Sequence, residues 1–240
     1  MIPLRNKFRR FAQAFLLCLT FSSLGSAGGP SVLLSQRAKS DFALSADPHA
    51  KEWGKVIGVF AASSPFGKPL PEARTEVRSR WTNKNLYLLF VSPYEKLYLK
   101  TDPVFDRDTQ NLWDYDVVEA FIGHDLQNIQ VYKEFEVSPR GEFVDLDIDR
   151  TRKGQQGDIT WDSGWRVKTR VDSTRKIWYA EMQIPWNAIL PHPPHVGDEL
   201  RLNLYRIEGG PESRKYIVWQ VTNSPSFHTP ESFGRLRLAP

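Results

Sequence analysis

What most constrains this chain is the rhythm of its apolar residues. They come in short runs with a two-residue period, cut by turn signals, and no amphipathic pattern exceeds two or three helical turns. The clearest run is 177–184: Trp178, Ala180, Met182 and Ile184 share one face, and Tyr179, Glu181 and Gln183 share the other. The first set is predicted core. Residues 76–80 lead through Thr82-Asn83-Lys84-Asn85 into 86–91 and predict a hairpin, whose second strand is apolar on both faces and therefore central in a sheet. Further strands are expected at 116–123, 132–137, 142–148, 165–172, 200–208, 216–221 and 233–238, with Ser138-Pro139-Arg140-Gly141 turning between two of them. The expected fold class is all-β: an antiparallel β-sandwich, jelly-roll or immunoglobulin-like, with at most short helical turns such as 185–190.

The N-terminus obeys a different rule. Arg5, Lys7, Arg9 and Arg10 precede an apolar run over 11–24 and the small residues Gly25-Ser26-Ala27, the pattern of a secretory signal cleaved after Ala27. Residues 28–41 read as a flexible leader and 42–240 as one domain, with no membrane span after cleavage and a secreted or periplasmic location. Without the signal the chain keeps 28 basic and 28 acidic residues, so the basic balance belongs to the export segment and nucleic acid is not an expected partner. Cys18 leaves with it, so stability must come from an ordinary core and not from disulfides.

The stretch 111–122, NLWDYDVVEAFI, carries the strongest hint of chemistry. The loop aromatic Trp113 precedes a strand on which Val117, Glu119 and Phe121 share a face. A carboxylate beside an aromatic ring suits a sugar, whose C–H face stacks while its hydroxyls donate to the acid. The same residues also read as an edge-capping tryptophan and an ordinary cross-strand acid.

The order of several segments extends this hint. Residues 81–87 (WTNKNLY), 113–122, 132–141 (YKEFEVSPRG), 178–186 (WYAEMQIPW), 202–208 (LNLYRIE), Trp219 and 227–234 (FHTPESFG) together resemble the family 9 carbohydrate-binding modules and their DOMON-like relatives. The resemblance implies a non-catalytic, glycan-binding β-sandwich of the kind that accompanies glycoside hydrolases in carbohydrate catabolism. It implies that Trp113 and Phe227 clamp a terminal sugar while Glu119 hydrogen-bonds its hydroxyls. Two departures stand out: Phe227 sits where the known sugar binders have tryptophan, and Glu136 sits where they carry arginine. The second replaces a donor with an acceptor, leaving Arg206 and His228 as candidate donors.

Other readings remain open. Sugar-binding relatives carry structural calcium, for which Asp102, Asp106, Asp108, Asp145, Asp147 and Asp149 are candidates, although their spacing is not that of a calcium loop. Haem-binding DOMON-like electron carriers need axial ligands, and Met182 patterns as packing. A protein-interaction scaffold would show the same strand rhythm without a sugar site. His192 and His195 lack further zinc ligands close in sequence.

Overall fold

The computed structural model describes residues 31–240; the export signal predicted at 1–27 lies outside them. Ten strands follow the predicted rhythm closely: β3 (Thr75–Trp81), β4 (Asn85–Pro93), β5 (Val117–Gly123), β6 (Val131–Val137), β7 (Phe143–Asp149), β9 (Arg166–Asp172), β10 (Ile177–Pro185), β11 (Glu199–Glu208), β12 (Lys215–Val218) and β13 (Gly234–Ala239). Three short strands, β1 (Val32–Arg37), β2 (Val59–Ala61) and β8 (Gly157–Asp158), were not expected. The helical content of the described residues is four single 3-10 turns, one of them at Trp186–Ala188 as anticipated.

The strands form one curled path in the order β8-β7-β6-β5-β11-β13-β1-β3-β4-β10-β9, with β12 added to β11 and β2 to β3. The predicted hairpin is β3 and β4, and β4 is central, hydrogen-bonded to β3 and β10. The path folds over on itself so that its two halves enclose the main core. Val118, Ala120, Ile122, Phe135, Leu202 and Leu204 come from one half; Leu86, Leu88, Phe90, Trp178, Ala180, Met182 and Ile184 come from the other. The alternation read along β10 therefore places its apolar face correctly.

Over residues 31–41 the expected flexible leader is a correction. β1 is a full member of the sheet, parallel to both β13 and β3, and it joins the two halves of the path. Leu33 and Ser35 are buried, and Asp41 accepts hydrogen bonds from Thr82, Asn85 and Tyr87 at 2.5, 3.0 and 3.2 Å. These two parallel pairings are also the exception to the expected all-antiparallel sheet.

Each half keeps a second, outer face. On the β3-β4-β10 half the segment over 42–56 covers it: Phe42 stacks on Tyr87 at 4.0 Å, and Trp53 donates its Nε1–H to Glu181 at 2.9 Å. On the β5-β6-β7-β11 half the outer face is roofed by loops, and a cavity remains beneath them.

Candidate functional site

Strand parity decides what this outer face presents. Val117, Glu119 and Phe121 point to it from β5, Tyr132, Glu134 and Glu136 from β6, Val144, Leu146 and Ile148 from β7, and Tyr205 and Ile207 from β11. Their neighbours Val118, Ala120, Ile122, Phe135, Val137, Leu202 and Leu204, of opposite parity, belong to the main core. Three segments border the face: the 3-10 turn Leu112–Asp114 through Trp113, the loop after β7 ending in β8, and the loop carrying Pro225, Phe227 and His228.

Between floor and roof lies a cavity of about 440 Å³, within the range of small-ligand sites. Trp113, Glu119, Phe227 and His228 all line it, so four of the six candidate residues meet around one space. Trp113 is 36% exposed at the rim, its turn begun by Asn111 at φ +56° and held by Arg214, which donates to the Trp113 and Asp114 carbonyls. Phe227 is only 8% exposed. One of its faces stacks on Tyr205 at 4.2 Å and 12°, while the Tyr205 hydroxyl donates to the Phe227 carbonyl at 2.8 Å. Phe227 is therefore a fixed wall and not a free clamp. Tyr216, 41% exposed and edge-on to Phe227 at 5.7 Å, is the second aromatic at the rim.

The floor carries three carboxyl groups. Glu119 and Glu136 are register partners across β5 and β6, and Glu134 lies two residues further along β6 on the same face. All three are buried, and Glu119 Oε1, Glu134 Oε2 and both oxygens of Glu136 have no hydrogen-bond partner among the described residues. Burial, then the Glu134 carboxyl, pushes Glu119 well above the usual carboxylate range; burial, then Glu119, Glu134 and Asp114, does the same to Glu136. Burial pushes Glu134 up to about 8. His228 is tied by Nδ1 to the Tyr132 hydroxyl at 2.8 Å and lies 4.0 Å from Glu134. Burial, then Arg150, pulls its pKa down to about 4, so at neutral pH the imidazole brings no charge to the floor.

Two site expectations need correction. Glu136 stands beside Glu119 but does not line the cavity. Arg206 is not part of the site: its parity matches Leu202 and Leu204, so it points into the interior between the halves, where it donates to Thr75 Oγ1 at 3.2 Å and pairs with Glu208 at 3.2 Å. Residues missed from sequence are Glu134, Arg150, Gln155, Gln156 and Tyr216, all of which line the cavity. Parity alone could have found Glu134, which shares a face with Tyr132 and Glu136. Arg150, Gln155 and Gln156 come from an irregular loop with no period to read.

The calcium candidates do not converge. Asp147 pairs with Lys133 at 2.6 Å, Asp149 accepts from Thr151 and Arg152, and Asp102 and Asp106 are exposed. Only Asp108 and Asp145 meet. Burial and then Asp145 push Asp108 up to about 6, and no third acid brings a ligand atom within 4.8 Å of that pair. These residues as they stand do not fit the six to eight oxygens of a calcium shell. Three such side chains do gather elsewhere among the described residues: His192, His195 and Asp198, in the turn before β11, have donor atoms within 4.8 Å of one another, and both histidines are exposed. Met182, the axial-ligand candidate for haem, is buried in the main core and does not line the cavity. No helix among the described residues is long and apolar enough to cross a membrane.

An extracellular protein of Arthroderma benhamiae is 29% identical over 196 residues, covering 77% of this chain and 86% of that one. Endo-1,4-beta-xylanase A of Thermotoga neapolitana is 27% identical over 187 residues; the match covers 78% of this chain but 16% of the xylanase. Among solved structures, a putative carbohydrate-binding protein from Bacteroides uniformis superposes with a TM-score of 0.66 at 14% identity, over 88% of this chain and 100% of that one. A family 9 carbohydrate-binding module from Caldicellulosiruptor kristjanssonii, solved with cellotriose, gives 0.61 at 14% identity, over 87% and 94%. At such identities these structures support the fold, an all-β sandwich. The sequence model described as carbohydrate family 9 binding domain-like matches residues 52–240, most of the described chain, and the protein belongs to that family.

Proposed function

We propose that this chain is a non-catalytic carbohydrate-binding module whose site is the cavity bordered by Trp113, Tyr216, Phe227 and Glu119. The observation that carries this reading is the composition of that one space: aromatic and aliphatic walls over a floor of carboxyl groups with unpartnered oxygens. Rings receive the C–H faces of a sugar, and the floor accepts from its hydroxyls. Family membership supports the same reading, as does the module solved with cellotriose.

Hydrolysis fits the geometry less well. A glycosidase sets two carboxyl groups on opposite sides of the bond it cleaves. Here Glu119 and Glu134 stand on adjacent strands of one floor, so they do not face each other across the cavity. The xylanase relative carries its match in a small fraction of its length, so its activity is not transferred. The signal-like N-terminus and the fungal relative's designation as extracellular support an exported protein that works on glycans outside the cytoplasm.

Soluble oligosaccharides should quench the tryptophan fluorescence of the full chain, because Trp113 sits at the rim. Trp113→Ala should weaken binding by about tenfold or more with the thermal midpoint unchanged, since a half-exposed rim side chain contributes little to the core. Unaltered affinity in that variant would remove Trp113 from the site.

A further inference from the structure

The cavity floor is unusual in what it lacks. A buried carboxylate is normally matched by a cation or by several N–H donors. The opposite face shows the norm, where Glu181 takes the backbone N–H groups of Ser45 and Ala46, both at 2.7 Å, and the Trp53 indole N–H at 2.9 Å. Among the described residues, Glu119, Glu134 and Glu136 together leave four buried oxygens without a donor. No Lys or Arg forms an ion pair with any of the three among the described residues. Arg150 lines the cavity, yet it too makes no ion pair there.

The walls narrow the choice of counter-charge. Trp113, Phe121, Tyr216 and Phe227 border the same space as the acids, with Leu146, Ile148 and Ile207 beside them. Such walls give no ligand atoms to a bare metal ion, which seeks a shell of oxygens. They do suit an organic ammonium, which gains from aromatic faces while its three N–H bonds go to carboxylates. We propose that the sugar bound here carries a free amine, so that the site selects an amino sugar of the glucosamine class, with its ammonium group on Glu119 and Glu134. This rests on the carbohydrate reading above.

Binding would then exchange one charge for another. At neutral pH the floor holds protons; an arriving ammonium stabilises the carboxylate, and a carboxyl proton leaves to the buffer. The titratable groups around Glu134 are Glu119 from β5, Glu136 and Tyr132 from β6, Tyr205 from β11, His228 from the last loop and Arg150 from the loop after β7, with Asp114 from the rim turn acting on Glu136. Of these, Arg150 is the one cation at neutral pH, and it opposes the ligand's charge. A neutral sugar would release no proton.

The test is calorimetry on the full chain with short oligomers of glucosamine, of N-acetylglucosamine and of glucose, at constant ionic strength. The free-amine oligomer should bind at least tenfold tighter than the other two. Between about pH 5 and 6.5, where the amine stays charged, its affinity should rise by about tenfold per pH unit, as expected when one carboxyl proton is released. Buffers of different ionisation heat should report that proton. Glu134→Gln should abolish both the preference and the proton release; the same loss in Glu119→Gln, with an unchanged circular dichroism spectrum in each variant, guards against misfolding. Equal affinity for the glucosamine and glucose oligomers would overturn the amine assignment and leave sugar binding intact. Binding of none of the three would overturn both. Calcium chloride alone displacing the glucosamine oligomer would assign the floor to a metal and also overturn it.

Discussion

Glu136 and Glu181 are both fully buried glutamates in central strands, yet their surroundings oppose each other. Glu181 is held by three N–H donors, whereas Glu136 has none and faces Glu119 across the ladder. Glu181→Gln would turn an NH2 group toward N–H donors and should cost about 1–3 kcal/mol in denaturant unfolding. Glu136→Gln should do the opposite above neutral pH. Its folded-state pKa is raised, so the stability that wild type has below the unfolded value is lost as pH rises; glutamine never ionises, and its amide can donate to Glu119. The variant should match wild type at pH 5 and exceed it at pH 8; a variant less stable at pH 8 would show that Glu136 has a stabilising partner. Neither environment was legible in sequence, because both residues alternate with apolar neighbours in the same way. What was legible was parity. Glu119 sharing a face with Val117 and Phe121 was read correctly, and the same rule applied to Leu202, Leu204 and Arg206 would have sent Arg206 into the interior.

Among the elements, the hairpin β3-β4, the turn between β6 and β7, and the core face of β10 were readable, because local period and turn chemistry specify them. β1 was not. Its six residues, VLLSQR, bury only alternate positions weakly, and its partner β13 lies some 200 residues away, so nothing local announces the pairing. Its position gives it more consequence than its length suggests. β1 joins β13 to β3, so its removal would expose the edges of both halves and uncover Leu238 and Trp81. A chain beginning at residue 42 should therefore be insoluble or melt at least 10 °C lower, about the effect of losing several kcal/mol in a domain of this size. A chain beginning at residue 31 should melt like one that keeps residues 28–30. Equal stability of the two truncations would return 31–41 to the role of a leader.

At the scale of the molecule, the sandwich treats its two outer faces differently. One is sealed by its own chain, with Trp53 and Phe42 against Tyr87, and its buried acid is satisfied. The other keeps a space over three acids that pair with no Lys or Arg among the described residues. This asymmetry should set the pH dependence of the whole protein. Asp41, Asp125, Asp149 and Asp158 are pulled below the usual range, so their stabilisation is lost only as pH falls under about 4. His228, with its pKa lowered to about 4, withdraws stability as pH falls from about 6.5 toward 4. The raised acids act in the other direction. Asp108 and Asp116, both pushed up to about 6, lose their contribution as pH rises to that value, and Glu134 continues the loss to about 8, with the raised Glu119 and Glu136 acting in the same direction. The balance places maximal stability on the acid side of neutrality. Melting curves at fixed ionic strength should show the midpoint falling by about 5 °C or more between pH 6 and 8.5. A midpoint that rises over that range would mean that the floor acids are ionised and matched by a positive charge in the protein itself, and the site would then have no need of a cationic ligand.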